Sequence, residues 1–233
     1  MTRLEFRVRK FLGNNKDIRK TRNKYSCLRS PYKVKIPVKF TEDLCRFVGI
    51  MHGDGNMSFS RIHVSDKSLV YHEKVICSIF HKLFGIKLHI FEDKQRHTYY
   101  SHIKCRIIYK YLTEVLELPI GPIRNQLTVP GYLKKLKNNL KAGYVGGLFD
   151  SEGHISKRQA VASFSTTNKQ VFDFVRLFLK SNKIDFSIYI RDRRLNREYE
   201  IYIYGKDRLK RLNESIKIKH PDKVDRLNMF SVY

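Results

Sequence analysis

One pattern of residues occurs twice in this chain, and the repetition constrains the fold more than any other feature of the sequence. Residues 47–55 (FVGIMHGDG) have a counterpart in residues 145–153 (VGGLFDSEG), at a constant offset of 98 residues. A self-similarity of this length predicts two copies of one structural unit rather than one continuous domain. Each copy combines a short apolar stretch with a terminal acid and a glycine.

The apolar periodicity predicts the same order of elements in each half: helix, two strands, helix, two strands, helix. In the first half the helical spacing of 43–53 is followed by alternation over 57–65 and by an amphipathic helix that ends at Gly85. We therefore expect an α+β protein with these parts: a basic extension (1–40), a first repeat (41–118), a linker (119–137), a second repeat (138–218) and a tail (219–233).

The charge of the chain indicates a polyanionic partner. Lys and Arg total 47 against 22 Asp and Glu, a formal net charge of +25, which is self-repulsive without such a partner. Thirteen of these basic residues lie in 1–40, which is either a solvated arm or a DNA-contacting segment. No apolar run could span a bilayer or form a signal peptide, so we expect no membrane partner and no secretion.

Small residues four positions apart mark one stripe of each motif helix. Gly49 and Gly53 lie on the first helix, and Gly147 and Ser151 on the second. Without side-chain bulk on this stripe, two helices can approach almost backbone to backbone. The stripe predicts that the two motif helices pair with each other.

The acids that end the two motifs, Asp54 and Glu152, lie where a helix disfavours them, because the C-terminal turn carries partial negative charge. If the helices pair, the two carboxylates converge and repel by roughly 3 kcal/mol at about 6 Å and an effective dielectric of about 20. A divalent cation offsets this repulsion, and oxygen ligands with water suit Mg²⁺. One such acid would be a plain helix end, but two at matched positions indicate a metal site.

These segments resemble the paired motifs of LAGLIDADG homing endonucleases, in the form that carries both motifs in one chain. The resemblance covers residues 41 to about 218. It implies two tandem αββαββα repeats related by a pseudo-twofold axis, each with a saddle-shaped antiparallel sheet, in a monomer that cuts both strands of a long asymmetric double-stranded DNA target.

The resemblance also implies the site residues. Asp54 and Glu152 would hold Mg²⁺ or Mn²⁺ together with Gly53 and Ser151, and Ca²⁺ would occupy the site without turnover. The family's first Asp is replaced by His52 in the first motif, which implies a structural role for this histidine. Lys67 and Lys169, at the strand-to-helix junctions, would stabilise charge at the scissile phosphates.

In the family, the outward faces of the strands lie along the DNA major groove. The residues that this implies as DNA contacts are Arg61, His63, Lys87, His89, His102, Lys104 and Arg106 in the first half, and Ser163, Ser165, Tyr189, Arg191, Arg193, Arg194, Tyr202 and Tyr204 in the second. Arg and Lys can read guanine, whereas Ser and Tyr give weaker preferences.

Three functions compete on the sequence alone. The first is a site-specific, intron-encoded DNA endonuclease in a prokaryotic cytoplasm or an organelle, favoured because both acids are present. The second is an RNA maturase that binds its host intron RNA, for which residues 1–40 would add an RNA surface. The third is a DNA-binding regulator without nuclease activity, which we expect to have lost one or both acids.

Overall fold

The computed structural model describes residues 2–21, 24–27, 31–121, 128–193 and 196–231. The described part of the N-terminal extension is folded. It begins with helix α1 (Arg3–Asn14), which Thr2 and Glu5 cap reciprocally, and continues into a two-stranded antiparallel hairpin of β1 (Ile18–Thr21) and β2 (Lys24–Cys27).

The first repeat follows the element order predicted from the periodicity. It consists of α2 (Glu42–Gly53), β3 (Gly55–Ser58), β4 (Arg61–Asp66), α3 (Leu69–Tyr71), a π-helical turn (His72–Ile76), α4 (Cys77–Phe84), β5 (His89–Asp93), β6 (Thr98–Lys104), α5 (Arg106–Lys110) and a second π-helical turn (Tyr111–Val115). Gly85 ends α4 in the left-handed conformation, with φ of 72°.

The second repeat has the same order. After the short helix α6 (Gly131–Lys134) it consists of α7 (Asn138–Glu152), β7 (Gly153–Ile155), β8 (Val161–Thr166), α8 (Lys169–Ser181), β9 (Ser187–Arg193), β10 (Asn196–Tyr204) and α9 (Lys206–Ile216). A terminal helix, α10 (Pro221–Ser231), then packs beside α9 and β7.

Two four-stranded antiparallel sheets confirm the predicted α+β class. Their strand orders, β3-β4-β6-β5 and β7-β8-β10-β9, are equivalent under the offset between the repeats. One face of each sheet is buried against helices, as the alternation predicts: Ile62 and Val64 are 1% exposed, and Ala162 and Phe164 are similarly buried. The opposite face carries the polar half of each strand.

Segments that border the two repeats contribute to the core. Leu4, Val8 and Phe11 of α1 are buried beside the π-helical turn Tyr111–Val115. Residues 119–137, expected to be a linker, include α6, in which the buried Tyr132 stacks on Phe40 at 4.9 Å. Residues 122–127 of this segment lie outside the described residues.

The cysteines are free thiols: Cys27, Cys45 and Cys105 are buried and Cys77 is half-buried. Among the described residues, no helix combines the length and apolar character that crossing a bilayer requires.

Candidate metal and nucleic-acid site

Helices α2 and α7 form the central interface of the molecule, and their small residues allow their backbones to touch. A Cβ built on Gly49 would lie 2.2 Å from the Tyr144 carbonyl oxygen, and one built on Gly147 would lie 2.2 Å from the Arg46 carbonyl oxygen. A Cβ on Gly53 would lie 2.4 Å from the Ser151 Cβ. The stripe of small residues therefore has the helix-pairing role predicted for it.

This pairing brings the two acidic motif ends together. Asp54 directly follows α2, Glu152 is the last residue of α7, and a Cβ on Gly53 would be 3.3 Å from the Glu152 Cγ. Burial, then the charges of Glu152 and Asp66, raises the pKa of Asp54 to about 7. Glu152 is more exposed than Asp54, so the two ends differ in solvation.

The chemistry of these two acids fits a hard divalent cation. The Asp54 Oδ2 atom is buried and has no hydrogen-bond partner among the described residues, although carboxylate oxygens are strong acceptors. Within the same part of the chain, no group of three His, Cys, Asp or Glu side chains is arranged to hold a metal ion. A cation held by Asp54 and Glu152 would therefore need backbone carbonyls, water or DNA oxygens as further ligands.

The motif positions that precede the acids form two equivalent contacts across the interface. His52 Nδ1 lies 2.9 Å from the Tyr144 hydroxyl, and the Asp150 Oδ2 accepts a hydrogen bond from Arg46 Nη1 at 2.5 Å. Both pairs are related by the offset of 98 residues, and all four side chains are buried. Position 52 and its counterpart therefore hold the helices together.

A buried lysine from the tail closes the end of α7, and the sequence did not indicate it. Lys223 Nζ on α10 donates to the carbonyl oxygens of Phe149, Asp150 and Ser151 at 2.9, 2.5 and 3.0 Å. Its positive charge neutralises the negative end of the helix. The charge of Lys223 also lowers the pKa of Asp54, against the effect of burial, and it interacts with the charge of Glu152.

A cleft of about 510 Å³ opens beside Asp54. His220 Nε2 lies 3.3 Å from the Asp66 Oδ1 atom, and the His220 ring stacks on Tyr71 at 4.4 Å. Burial raises the pKa of Asp66, but the hydrogen bonds from His220 and from the Ser68 N–H outweigh it and lower the pKa below its usual value. Asp66 is therefore ionised beside Asp54.

The two lysines predicted at the strand-to-helix junctions differ in their surroundings. Lys67 is exposed and lines the cleft beside Asp54. Lys169 is the first residue of α8, and its Nζ donates to the Asp173 Oδ2 atom at 2.7 Å. The equivalence of the two sites thus holds for the motif acids but not for the contacts of these lysines.

The polar face of the first sheet brings several predicted DNA contacts into line. His63 pairs with His102, and His102 pairs with His89, so the three imidazoles lie side by side, with Asn56 next to His63. Arg61 and Lys104 form the next pair on this face. Burial, then the charges of His102 and Arg61, lowers the pKa of His63, so its imidazole is neutral at pH 7.

Two residues predicted to lie on the strands of the first sheet are outside them. Lys87 precedes β5, which begins two residues later at His89, after the buried Leu88. Arg106 is the first residue of α5, and its guanidinium pairs with Asp17 at 3.3 Å. Both side chains are exposed at the rim of the sheet.

The second sheet presents hydroxyls and phenols on the matching face. Its predicted contacts on the strands are Ser163 and Ser165 (β8), Tyr189, Arg191 and Arg193 (β9), and Tyr202 and Tyr204 (β10). Ser163 pairs with Tyr202, and Tyr189 contacts Tyr202 edge to face at 5.3 Å. Arg194 and the side chain of Arg193 lie outside the described residues.

Sequence reasoning missed an acid and a histidine on this face. The Glu200 carboxylate lies 3.1 Å from the Arg191 guanidinium, and His154 pairs with Ser163. Glu200 and His154 each follow the inward–outward alternation of their own strand. Only the register of the sheet shows which residues of different strands share a face.

Comparison with known proteins identifies the domain and the fold. Residues 139–217 match the family profile of the LAGLIDADG-like domain. A structure of mesophilic variants of the homing endonuclease I-DmoI superposes with a TM-score of 0.57 at 17% identity, covering 77% of this chain and 97% of that one. The complex of I-DmoI with DNA and Mn gives 0.56 at 17% identity, covering 78% and 99%.

A protein of a different description has the same fold. Full-length DUF199/WhiA from Thermatoga maritima superposes with a TM-score of 0.54 at 15% identity, covering 82% of this chain and 61% of that one. The fold alone therefore does not decide the function. Residues 139–217 therefore form a LAGLIDADG-like domain, and the chain as a whole has the fold of the homing endonuclease I-DmoI.

Proposed function

We propose that this protein is a metal-dependent, site-specific DNA endonuclease that hydrolyses both strands of a long asymmetric target. The observation that carries the proposal is the convergence of Asp54 and Glu152 at the ends of two helices in backbone contact. A binding protein gains nothing from two repelling carboxylates at this point, whereas a phosphodiester hydrolase uses them to hold cations.

The chain would hold Mg²⁺ or Mn²⁺ with the carboxylates of Asp54 and Glu152 and with the carbonyl oxygen of Gly53. The Ser151 carbonyl oxygen, also expected to contribute, already accepts a hydrogen bond from Lys223 Nζ at 3.0 Å. When bound, such a cation supplies Lewis-acid polarisation of a phosphate oxygen and lowers the pKa of water. Ca²⁺ would bind the same oxygen ligands without supporting turnover. The I-DmoI complex with DNA and Mn supports the choice of a divalent cation.

The other residues would position the DNA. The exposed ammonium of Lys67 faces the cleft beside Asp54, where it can pair with a phosphate of the backbone. The polar faces of the two sheets would follow the major groove on either side of the acids, with Arg61 and Lys104 on one side and the Tyr189–Tyr202 pair on the other.

A cleavage assay tests this function. The substrate is a plasmid that carries the intronless allele of the gene that houses this reading frame, incubated with and without Mg²⁺. We expect linear product only with Mg²⁺, and none from Asp54→Asn or Glu152→Gln. Asp93→Asn is the matched control, because Asp93 lines the same cleft and we expect it to retain cleavage. Full cleavage by both motif variants would refute the proposal.

An RNA maturase is the second candidate function, and the folded basic extension supports it. The described residues of 2–40 present lysines and arginines on a packed scaffold, which suits binding of host intron RNA. Splicing assistance that survives in the Asp54→Asn, Glu152→Gln double variant would favour this function. Loss of splicing together with cleavage would argue against it.

A further inference from the structure

The hairpin of the N-terminal extension, β1 and β2, is firmly attached to the first repeat. Asn15, which precedes the hairpin, donates from Nδ2 to the Glu114 Oε2 atom at 3.0 Å. Tyr25 exchanges backbone hydrogen bonds with Val34, and Cys27 is buried. The hairpin therefore has a defined position, and its exposed charges are held in one place.

The register of the first sheet shows where the hairpin lies relative to the acids. Strand β4 ends at Asp66, beside Asp54, and begins at Arg61, which pairs with Lys104. At about 3.3 Å per residue, Arg61 is roughly 17 Å farther from the acids than Asp66 along the strand. Beyond this outer end, Asp17 pairs with Arg106, and β2 contacts α5.

Positive charge continues from the sheet onto the hairpin. Arg61, Lys104 and Arg106 are exposed at the outer end of the sheet. Arg19, Lys20 and Lys24 are exposed on the hairpin, where the register puts Arg19 and Lys24 on one face and Lys20 on the other. The nearby acid, Asp17, is already paired with Arg106. Positive charges concentrated at one end of a protein repel one another unless a polyanion lies against them.

We propose that the β1–β2 hairpin binds the phosphate backbone of duplex DNA that flanks the part contacted by the first sheet. This inference rests on the proposed function and extends it. Duplex DNA is favoured because the hairpin contacts α5 at the outer end of the sheet proposed to follow the groove, and duplex phosphates present one charge per about 1.7 Å of axis. The protein thus covers more DNA on the side of the first repeat than on the other.

The hairpin contributes affinity rather than sequence preference. Most hydrogen bonds between proteins and DNA go to phosphate and sugar oxygens, and these contacts carry no sequence information directly. Each phosphate that the hairpin neutralises adds about 0.9 to the slope of log K against log salt concentration.

The test compares two variants of equal charge by fluorescence anisotropy on a 40-bp duplex of random sequence, over a series of KCl concentrations. The hairpin variant is Arg19→Gln, Lys20→Gln, Lys24→Gln. The control variant is Lys74→Gln, Lys180→Gln, Lys210→Gln, which removes three exposed lysines from helical segments. All six positions are exposed, and circular dichroism verifies that both variants are folded.

We expect the hairpin variant to reduce the salt slope by about 1 to 3 and to weaken binding at 0.1 M KCl at least tenfold, with a smaller effect in the control variant. Equal effects in both variants would overturn the inference and leave the proposed function intact. The inference would also be overturned if the hairpin variant lost binding to a 40-bp RNA duplex but bound the DNA duplex as tightly as the wild type. Failure of the wild-type protein to bind the DNA duplex would refute the proposed function together with the inference.

Discussion

Arg46 of α2 and Asp150 of α7 form an ion pair from which solvent is excluded, with Nη1 and Oδ2 2.5 Å apart and both side chains 0% exposed. Arg46 also donates to the carbonyl oxygens of Ile216 and Lys217, and Asp150 accepts from the backbone N–H of Lys219 and His220. The pair thus joins both motif helices to the segment between α9 and α10. Its counterpart across the interface is the neutral pair of Tyr144 and His52.

Breaking this ion pair should strongly destabilise the fold. Asp150→Asn removes the buried counter-charge of Arg46 and leaves only Glu42, whose partly exposed carboxylate lies 3.7 Å from the guanidinium. We expect a loss of about 3 to 5 kcal/mol in the free energy of unfolding, measured with urea. The double variant Arg46→Tyr, Asp150→His copies the neutral pair and should recover part of this loss. A single variant as stable as the wild type would show that the pair does not hold the helices.

The contact between the helix backbones should not accommodate one additional methyl group. Gly147→Ala places a Cβ 2.2 Å from the Arg46 carbonyl oxygen, and we expect it to reduce the free energy of unfolding by about 3 kcal/mol. Gly13→Ala is the control, because nothing lies within 4 Å of its added Cβ in α1, and it should be neutral or stabilising by up to about 1 kcal/mol. Equal stability of the two variants would contradict the observed packing.

His52 should make stability depend on pH. Burial lowers its pKa to about 3, against 6.5 in the unfolded chain, so only the unfolded state gains a proton between these values. Stability is therefore lost as the pH falls through 6.5, by about 2 kcal/mol between pH 7 and pH 5. His52→Gln should lose less over this range in urea unfolding. Identical pH profiles of the two proteins would show that the pKa of His52 is the same in the folded and unfolded states, which would contradict the prediction.

Lys223 should reduce the stabilisation that the protein gains when a divalent cation binds Asp54 and Glu152. Lys223→Met removes a positive charge near Asp54 and Glu152, so we expect a lower melting temperature without metal and a larger increase on adding MgCl₂ than in the wild type. Arg226→Met is the control, because Arg226 lies on the same helix and donates to the Ile155 carbonyl oxygen. The same MgCl₂ effect in both variants would exclude a role for Lys223 in the charge balance.

The predictable part of the structure depends on local periodicity. The spacing of Gly49 and Gly53 and the alternation of Ile62 and Val64 act within a single element, so the helix interface and the buried sheet face could be predicted. The repetition of the pattern then predicted the equivalent positions in the second half of the chain. Because these signals are local, they determine the elements and their order.

The rest depends on contacts between distant parts of the chain. Lys223 lies in a charged stretch with Asp222, Asp225 and Arg226 that is typical of a solvated helix, and only the packing of α10 buries it against α7. The ion pair could have been suspected, because Arg46 is a charge inside an apolar helix and Asp150 replaces His52 in the other motif. The pairing of Glu200 with Arg191 requires the register of β9 and β10.

The most direct test of the central claim is binding of Mn²⁺, followed by electron paramagnetic resonance, to the protein in complex with a duplex from the intronless allele. We predict that the wild-type complex binds Mn²⁺ and that the Asp54→Asn, Glu152→Gln variant loses this binding while it still binds the duplex. Undiminished Mn²⁺ binding by the variant would contradict the claim that these two carboxylates form the metal site.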